Sequence, residues 1–255
     1  DGLSTFLTHY KEGQHAEHAH ISPIYQNSVF TFEDSDSGAA IAAGEKPGYY
    51  YSRLNNPNHE QLAQKLAALE AWDLLKQNPE TPPEEMVGGL VFASGMAAVT
   101  AAILACVGAG ETLLTQAALY DGTYLFLKNL APKYGIHVVW VTDNSPEGWA
   151  DAFDAHPEAK LAYIETPVNP TLRLTDIAAV VKLAKTRGAR VAVDNTFATP
   201  YCQRPLTLGA DIVVHSTTKF LSGHGQVLGG AALTTDLDLL RGPLYQIYKL
   251  IGATP

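Results

Sequence analysis

The sequence predicts an α/β fold, a mainly parallel β-sheet covered by helices on both faces, with an extended arm at its N-terminal end. Three observations lead there. From residue 89 onward, short apolar runs alternate with longer helical patterns. The runs are continuously apolar, as in strands buried on both faces, and do not alternate polar with apolar. Hydrophobic residues make up 46% of the 255 positions, enough for a substantial core.

Residues 1–57 are rich in turn formers, with Pro23, Gly38, Gly44, Pro47, Gly48 and Pro57. They are expected to form an arm, with one short helix around residues 35–43. The run Tyr49-Tyr50-Tyr51-Ser52-Arg53 marks a surface that docks onto something. His9, His15, His18 and His20 cluster on this arm, but no Cys or carboxylate completes a metal site at a sensible spacing, so no metal is expected. Residues 58–255 then form the main domain. Asn58 with Gln61 matches a capping box, and Leu62, Leu66 and Leu69 recur at helical spacing, predicting a helix that ends near Lys76. An acidic, proline-rich loop follows over 77–88.

Strands are predicted at 89–93, 112–115, 137–141, 161–165, 190–193, 211–215 and 231–233. Helices are predicted at 96–107, 121–134 (interrupted late by Pro132), 147–156 and 175–187, the last stopped by Gly188. Gly108-Ala109-Gly110 lies between a helix and a strand, the wrong order for a nucleotide loop, and is a turn.

Charge narrows the function. Lys+Arg total 17 against Asp+Glu 26, a formal net charge of -9. Such a chain is a poor partner for nucleic acid or an anionic membrane, so any anionic ligand must be held by local donors. No apolar run reaches the ~18 residues of a membrane span. Cys106 lies in an apolar helical run far from Cys202, which points to a buried thiol and a reducing, cytoplasmic setting. The chain begins at Asp1 without methionine and ends at Pro255 in what reads as a loop.

Chemistry in open α/β sheets collects beyond the C-terminal ends of the strands. Ser94-Gly95-Met96 joins a strand to a helix, and its backbone N–H groups suit a phosphate, although a geometric turn has the same composition. Tyr120 can stack on a planar ring or be an ordinary half-buried tyrosine. In Glu165-Thr166-Pro167-Val168-Asn169-Pro170, Asn169 can donate to a ring oxygen or sit in a rigid turn. Asp194 ends an apolar strand, where it can pair with a protonated ring nitrogen, a metal or a helix N-terminus. Lys219 follows three hydroxyl residues, Ser216, Thr217 and Thr218. A Schiff-base lysine together with an acid facing a pyridinium nitrogen is the pairing that pyridoxal phosphate requires.

The motifs extend that pairing. Ser22-Pro23-Ile24-Tyr25-Gln26, Tyr49-Tyr50-Tyr51-Ser52-Arg53 with Asn56-Pro57, Ala93-Ser94-Gly95-Met96-Ala97-Ala98, the 165–170 loop, Val193-Asp194-Asn195-Thr196-Phe197 and His215-Ser216-Thr217-Thr218-Lys219-Phe220-Leu221-Ser222-Gly223-His224 occur in this order. In them the chain resembles the Cys/Met-metabolism family of pyridoxal-phosphate enzymes, which includes cystathionine γ-synthase, cystathionine γ-lyase, O-acetylhomoserine sulfhydrylase and methionine γ-lyase. The resemblance implies a fold-type I large domain with pyridoxal 5'-phosphate bonded covalently to Lys219. Asp194 would face the pyridine nitrogen. Tyr120 would stack on the ring and assist acid–base chemistry. Ser94, Gly95, Met96, Ser216 and Thr218 would hold the phosphate and Asn169 the ring. Tyr51 and Arg53 would reach the phosphate of a neighbouring subunit, so that self-association, to a dimer or tetramer, completes the site.

The implied reaction is γ-replacement or γ-elimination on a sulfur-containing or O-acylated homoserine-type amino acid. Two departures are informative. The family's C-terminal small domain, which supplies an arginine for the substrate carboxylate, is absent from this sequence. The position after Tyr120-Asp121, often cysteine in methionine γ-lyases, is Gly122. That glycine counts against a typical methionine γ-lyase, and the stretch 222–230 is closer to the sulfhydrylase and γ-lyase branches than to the cystathionine enzymes. The expectation is a sulfhydrylase-like member, with methionine or cystathionine γ-lyase as alternatives. A cofactor-free Schiff-base aldolase leaves Asp194 and the phosphate loop without a role. A catalytically impaired assembly domain is the alternative from another class.

Overall fold

In the computed structural model, which describes residues 2–255, seven strands form one sheet. They are β1 (Gly88–Phe92), β2 (Thr112–Gln116), β3 (His137–Val141), β4 (Leu161–Glu165), β5 (Arg190–Asp194), β6 (Ile212–His215) and β7 (Gly230–Thr234). Their order is β1-β7-β6-β5-β4-β2-β3. Pairings among β2 to β6 are parallel, whereas β7 runs antiparallel to both β1 and β6. Each predicted strand is present, with bounds that shift by one residue at most. Runs rich in Val, Ile and Leu with no polar interruption leave little freedom in placing a strand.

The helices are α1 (Leu3–His9), α2 (Ser35–Ala43), α3 (Pro57–Glu70), α4 (Trp72–Gln77), α5 (Pro83–Met86), α6 (Gly95–Cys106), α7 (Asp121–Leu125), α8 (Pro146–Ala155) and α9 (Ile177–Lys185), with shorter turns and a last helix, Tyr245–Ile251. Alternation along the strands divides the core. Ile212, Val214, Ala192 and Tyr163 pack with Val99 and Ile103 of α6 on one face. Val191, Val193 and Ile164 pack with Trp149 and Phe153 of α8 and Val180 of α9 on the other. Val213 and Leu233 meet Leu66 and Leu69 of α3 on that second face. Each buried Val, Leu, Ile or Phe among them contributes about 1.5–3 kcal/mol.

The structure departs from the sequence expectation in several places. The cap of α3 is Asn56, not Asn58. Its side chain accepts the Asn58 N–H at 2.9 Å, and Pro57 takes the first helical position. Proline suits that position because its missing N–H would have had no intrahelical partner. The helix breaks at Ala71 and does not run to Lys76, and the next segment turns so that Trp72 meets Phe6 edge-on at 4.9 Å. Leu62 faces solvent, while the buried stripe runs Ala63, Leu66, Ala67 and ends on Glu70. The predicted helix 121–134 is α-helical only to Leu125. A wider π turn spans Phe126–Leu130 and a 3₁₀ turn spans Ala131–Tyr134, which contains Pro132.

The arm carries the expected α2, and also α1, which periodicity does not reveal because none of its residues is fully buried. Cys106 and Cys202 are both free, and burial pushes the Cys106 thiol up to about 12. His9 and His20 both approach the exposed Glu12. Among the described residues, no group of three metal-ligating side chains gathers. Among them, too, no helix is long and apolar enough to cross a membrane.

Candidate active site

Because β1, β2, β4, β5 and β6 point the same way, their C-terminal ends meet at one edge of the sheet. A cleft of about 640 Å³ opens there. Of the residues singled out by sequence, Ser94, Gly95, Met96, Tyr120, Asn169, Asp194, Ser216, Thr218 and Lys219 line it together.

The β1–α6 turn forms one wall. Ser94 caps α6, its hydroxyl accepting the Ala97 N–H at 3.2 Å. The next two N–H groups, on Gly95 and Met96, have no intrahelical partner by the geometry of a helix start. Glycine is required at 95. A Cβ there would lie 2.5 Å from the Ser216 Cβ and 2.8 Å from its Oγ. The bare backbone thus lets the Ser216 hydroxyl close against the helix N-terminus, and together they make an anion cradle. Thr218 joins this wall, but its hydroxyl is engaged with Gly229, donating to the carbonyl at 3.2 Å and accepting the N–H at 3.0 Å. That bond pins the 219–229 loop to the start of β7.

Asp194 forms the floor and is 8% exposed. Its Oδ1 accepts the Thr196 N–H at 3.0 Å and its Oδ2 the Tyr163 hydroxyl at 3.3 Å. Burial first, then the neighbouring Asp194 and Glu165 charges, hold the Tyr163 phenol far above its ordinary range, so it stays a donor. Thr196 also accepts the Ser216 N–H on its hydroxyl at 2.8 Å, tying the Asp194 corner to the anion cradle. Lys219 sits on the turn after β6, exposed toward the cleft, and makes no ion pair among the described residues. Phe197 and Phe220, ring centroids 6.1 Å apart and edge to face, form an apolar rim.

Sequence reasoning gave no role to Glu165, although it ends an apolar strand just as Asp194 does. Beside Asp194 in the β4–β5 register, it accepts the Tyr120 N–H at 2.7 Å on Oε2 and the Asn169 N–H at 2.9 Å on Oε1. Burial pushes its carboxyl up to about 7, the Asp194 charge adds to that, and the two N–H groups oppose it. Thr196, Phe197 and Phe220 were likewise quoted only as parts of motifs.

Tyr51 and Arg53 do not line the cleft. The Arg53 guanidinium lies 5.2 Å from the Tyr51 ring and bonds the Lys249 carbonyl. Tyr51 bridges to Val29 within the arm. The donor set fits a phosphorylated planar cofactor: an anion cradle that a Cβ would fill, a fixed carboxylate, a lysine, and Tyr120 at the mouth.

The comparisons agree. The family model described as Cys/Met metabolism PLP-dependent enzyme matches residues 4–255. L-methionine gamma-lyase of Porphyromonas gingivalis is 40% identical over 99% of this chain and 59% of its own length. O-acetyl-L-homoserine sulfhydrylase of Leptospira meyeri is 40% identical over 82% of this chain and 43% of its own. Among solved structures, cystathionine gamma synthase of Xanthomonas oryzae pv. oryzae in complex with aminoacrylate and cysteine superposes with a TM-score of 0.85. It is 33% identical over 100% of this chain and 59% of that one. The chain therefore spans well under two thirds of the length of these relatives. With a cleft of matching chemistry and a family match across nearly its whole length, this chain belongs to the Cys/Met metabolism family of PLP-dependent enzymes.

Proposed function

We propose that the chain binds pyridoxal 5'-phosphate through Lys219 and carries the cofactor half of a γ-replacement or γ-elimination site for a sulfur-containing or O-acylated homoserine-type amino acid. One observation carries the reading. Lys219, Asp194 and the N-terminus of α6 face a single cleft. The relatives named as a γ-lyase, a γ-synthase and a sulfhydrylase all belong to that reaction class.

When bound, the cofactor ring stabilises the negative charge that develops at the substrate Cα. Asp194 would offer its carboxylate to the ring nitrogen and keep it protonated, held in place by Thr196 and Tyr163. The α6 N-terminus and the Ser216 hydroxyl would bind the phosphate, which is how an acidic chain can hold a dianion. The Lys219 Nζ, as a free amine, would take the proton from the substrate Cα. Tyr120 would cover the ring, its backbone fixed by Glu165. Phe197 and Phe220 would limit water at the mouth. Tyr51 and Arg53, outside the cleft of their own chain, would serve the phosphate of a second copy.

Within the class, Gly122 favours replacement on an O-acylated homoserine. A Cβ at 122 would meet the Tyr120 ring at 2.7 Å, and neither cysteine lines the cleft. The second reading, methionine γ-elimination, is supported by the 40% identity to a protein of that name. The test is direct. Added pyridoxal phosphate should give a visible absorption band, and borohydride should bleach it and leave the label on the Lys219 peptide. A chain that gains no band, or is labelled elsewhere, does not have this function. Assays of the chain with O-acetylhomoserine plus sulfide, against methionine, then separate the two readings.

A further inference from the structure

Beneath the cleft, a buried carboxylate joins the strand ends that carry Asp194 and Ser216. Glu70, the last residue of α3, is 0% exposed, as is His215. Glu70 Oε1 accepts the Asn195 Nδ2 amide at 2.7 Å and lies 2.6 Å from His215 Nε2. With Glu70 ionised, its oxygens can only accept, and His215 then donates through Nε2. Asn195 directly follows Asp194, and His215 directly precedes Ser216. Gln203 extends the network, donating to Asn195 Oδ1 at 3.0 Å and to the Thr166 carbonyl at 2.9 Å. Hydrogen bonds radiating from one carboxylate thus reach the ends of β4, β5 and β6.

Packing alone would place an apolar residue at 70. The position continues the buried stripe of Ala63, Leu66 and Ala67. A carboxylate there sits at the negative end of the helix dipole, and burying it is costly unless every lone pair is matched. The match is incomplete: Glu70 Oε2 and His215 Nδ1 have no partner among the described residues. A group retained against stability in this way is expected at a functional site.

We propose that Glu70 is a positioning residue of the cofactor site. Through Asn195 and His215 it sets the spacing of the two strand ends that present Asp194 and Ser216. The inference rests on the cofactor reading above. At the front of the cleft, Thr196 ties these ends together through Asp194 Oδ1 and the Ser216 N–H. Glu70 ties the same two ends from behind. With only the front tie and the backbone bond from the Asn195 N–H to the Val214 carbonyl (3.0 Å) left, the side chains of the acid and the anion cradle shift relative to each other. A ligand gripped at both its ring nitrogen and its phosphate loses affinity as a result.

The test uses the full chain, wild type and Glu70→Gln, which keeps volume and removes the charge. Hydrogen exchange without ligand should rise by at least about fivefold in peptides covering 194–196 and 216–219, and not in α8. The Kd for pyridoxal phosphate, read by visible absorbance, should weaken by at least about tenfold, with a shift in the pH at which the bound band changes. Phe153→Leu, a core change in α8 remote from the cleft, should lower the melting temperature and leave affinity and band unchanged. The proposal is overturned if Glu70→Gln loosens the chain evenly, or melts lower yet binds with wild-type affinity and an unchanged band. A wild-type chain that binds no pyridoxal phosphate overturns the cofactor reading instead. The exchange map alone then decides whether Glu70 holds the strand ends.

Discussion

The two flanks of the cleft are each tied together by a buried carboxylate, and the two ties are built differently. Glu165 grips backbone, the N–H groups of Tyr120 and Asn169, in the loops after β2 and β4. It lines the cleft beside Asp194 and titrates near neutrality, at about 7. Glu70 grips side chains, those of Asn195 and His215, and does so out of contact with the cleft. A carboxylate at the cleft edge can gain or lose its proton in the working range of the protein. One buried beneath it, bonded to two side chains, serves as a brace. The Tyr120 flank is therefore expected to respond to pH.

The largest effect should come from cutting the brace. Glu70→Leu leaves the His215 N–H unpaired in the core and takes one partner from Asn195, a loss of about 1–3 kcal/mol for each buried donor left unsatisfied. Replacing both partners, Glu70→Leu with His215→Leu, should be less costly, because only the Asn195 N–H then remains without its partner. Urea unfolding of the two variants measures the difference. If the single variant loses less than about 1 kcal/mol, the brace contributes nothing and the contrast between the flanks disappears.

The second effect is a pH dependence assigned to the other flank. Glu165 rises from an ordinary 4.5 to about 7 on folding, chiefly by burial and then by the Asp194 charge. The folded chain therefore binds this proton more tightly than the unfolded one. Its contribution is present in full below about 4.5 and is lost as pH rises through about 7, a swing of about 3 kcal/mol. Glu165→Gln should remove that slope. Unfolding free energies at pH 5, 6.5 and 8, subtracted between wild type and variant, should show a difference that grows in favour of the variant with rising pH. A flat difference would mean that Glu165 is ionised throughout and that the flanks do not differ in this way.

What the sequence disclosed follows the same division. The positions of Lys219 and Asp194 in the cleft were legible because each lies just at or past the end of an apolar strand, and the parallel sheet brings such ends together. Glu165 shows the same pattern, but its role depends on backbone N–H groups, which no sequence pattern displays. Glu70 was illegible. In an amphipathic helix a glutamate reads as solvent-facing, and only the folded chain brings it to partners 125 and 145 positions away. The strands were placed well because their apolar runs are bounded by turn formers. Helix ends were placed less well, since the Asn58–Gln61 pair satisfies the residue types of a capping box while Pro57 makes Asn56 the cap.

The smallest effect tests whether the brace depends on the helix that carries it. Asn56 caps the N-terminal end of α3, and Glu70 ends the same helix. Besides its capping bond, the Asn56 amide donates to the Tyr25 carbonyl and to the Ser52 hydroxyl, each at 3.2 Å. Asn56→Ala should therefore cost about 1–2 kcal/mol and free the arm on either side of Tyr51. The Glu70 end is held by its own partners and by Leu66, Ala67 and Leu69 in the core. Hydrogen exchange should then rise across 22–56 while peptides covering 194–196 and 216–219 keep wild-type rates. If those strand ends also loosen, α3 transmits the state of the arm to the cofactor floor. The second flank would then be coupled to the arm that carries Tyr51 and Arg53, and would no longer be the fixed half of the cleft.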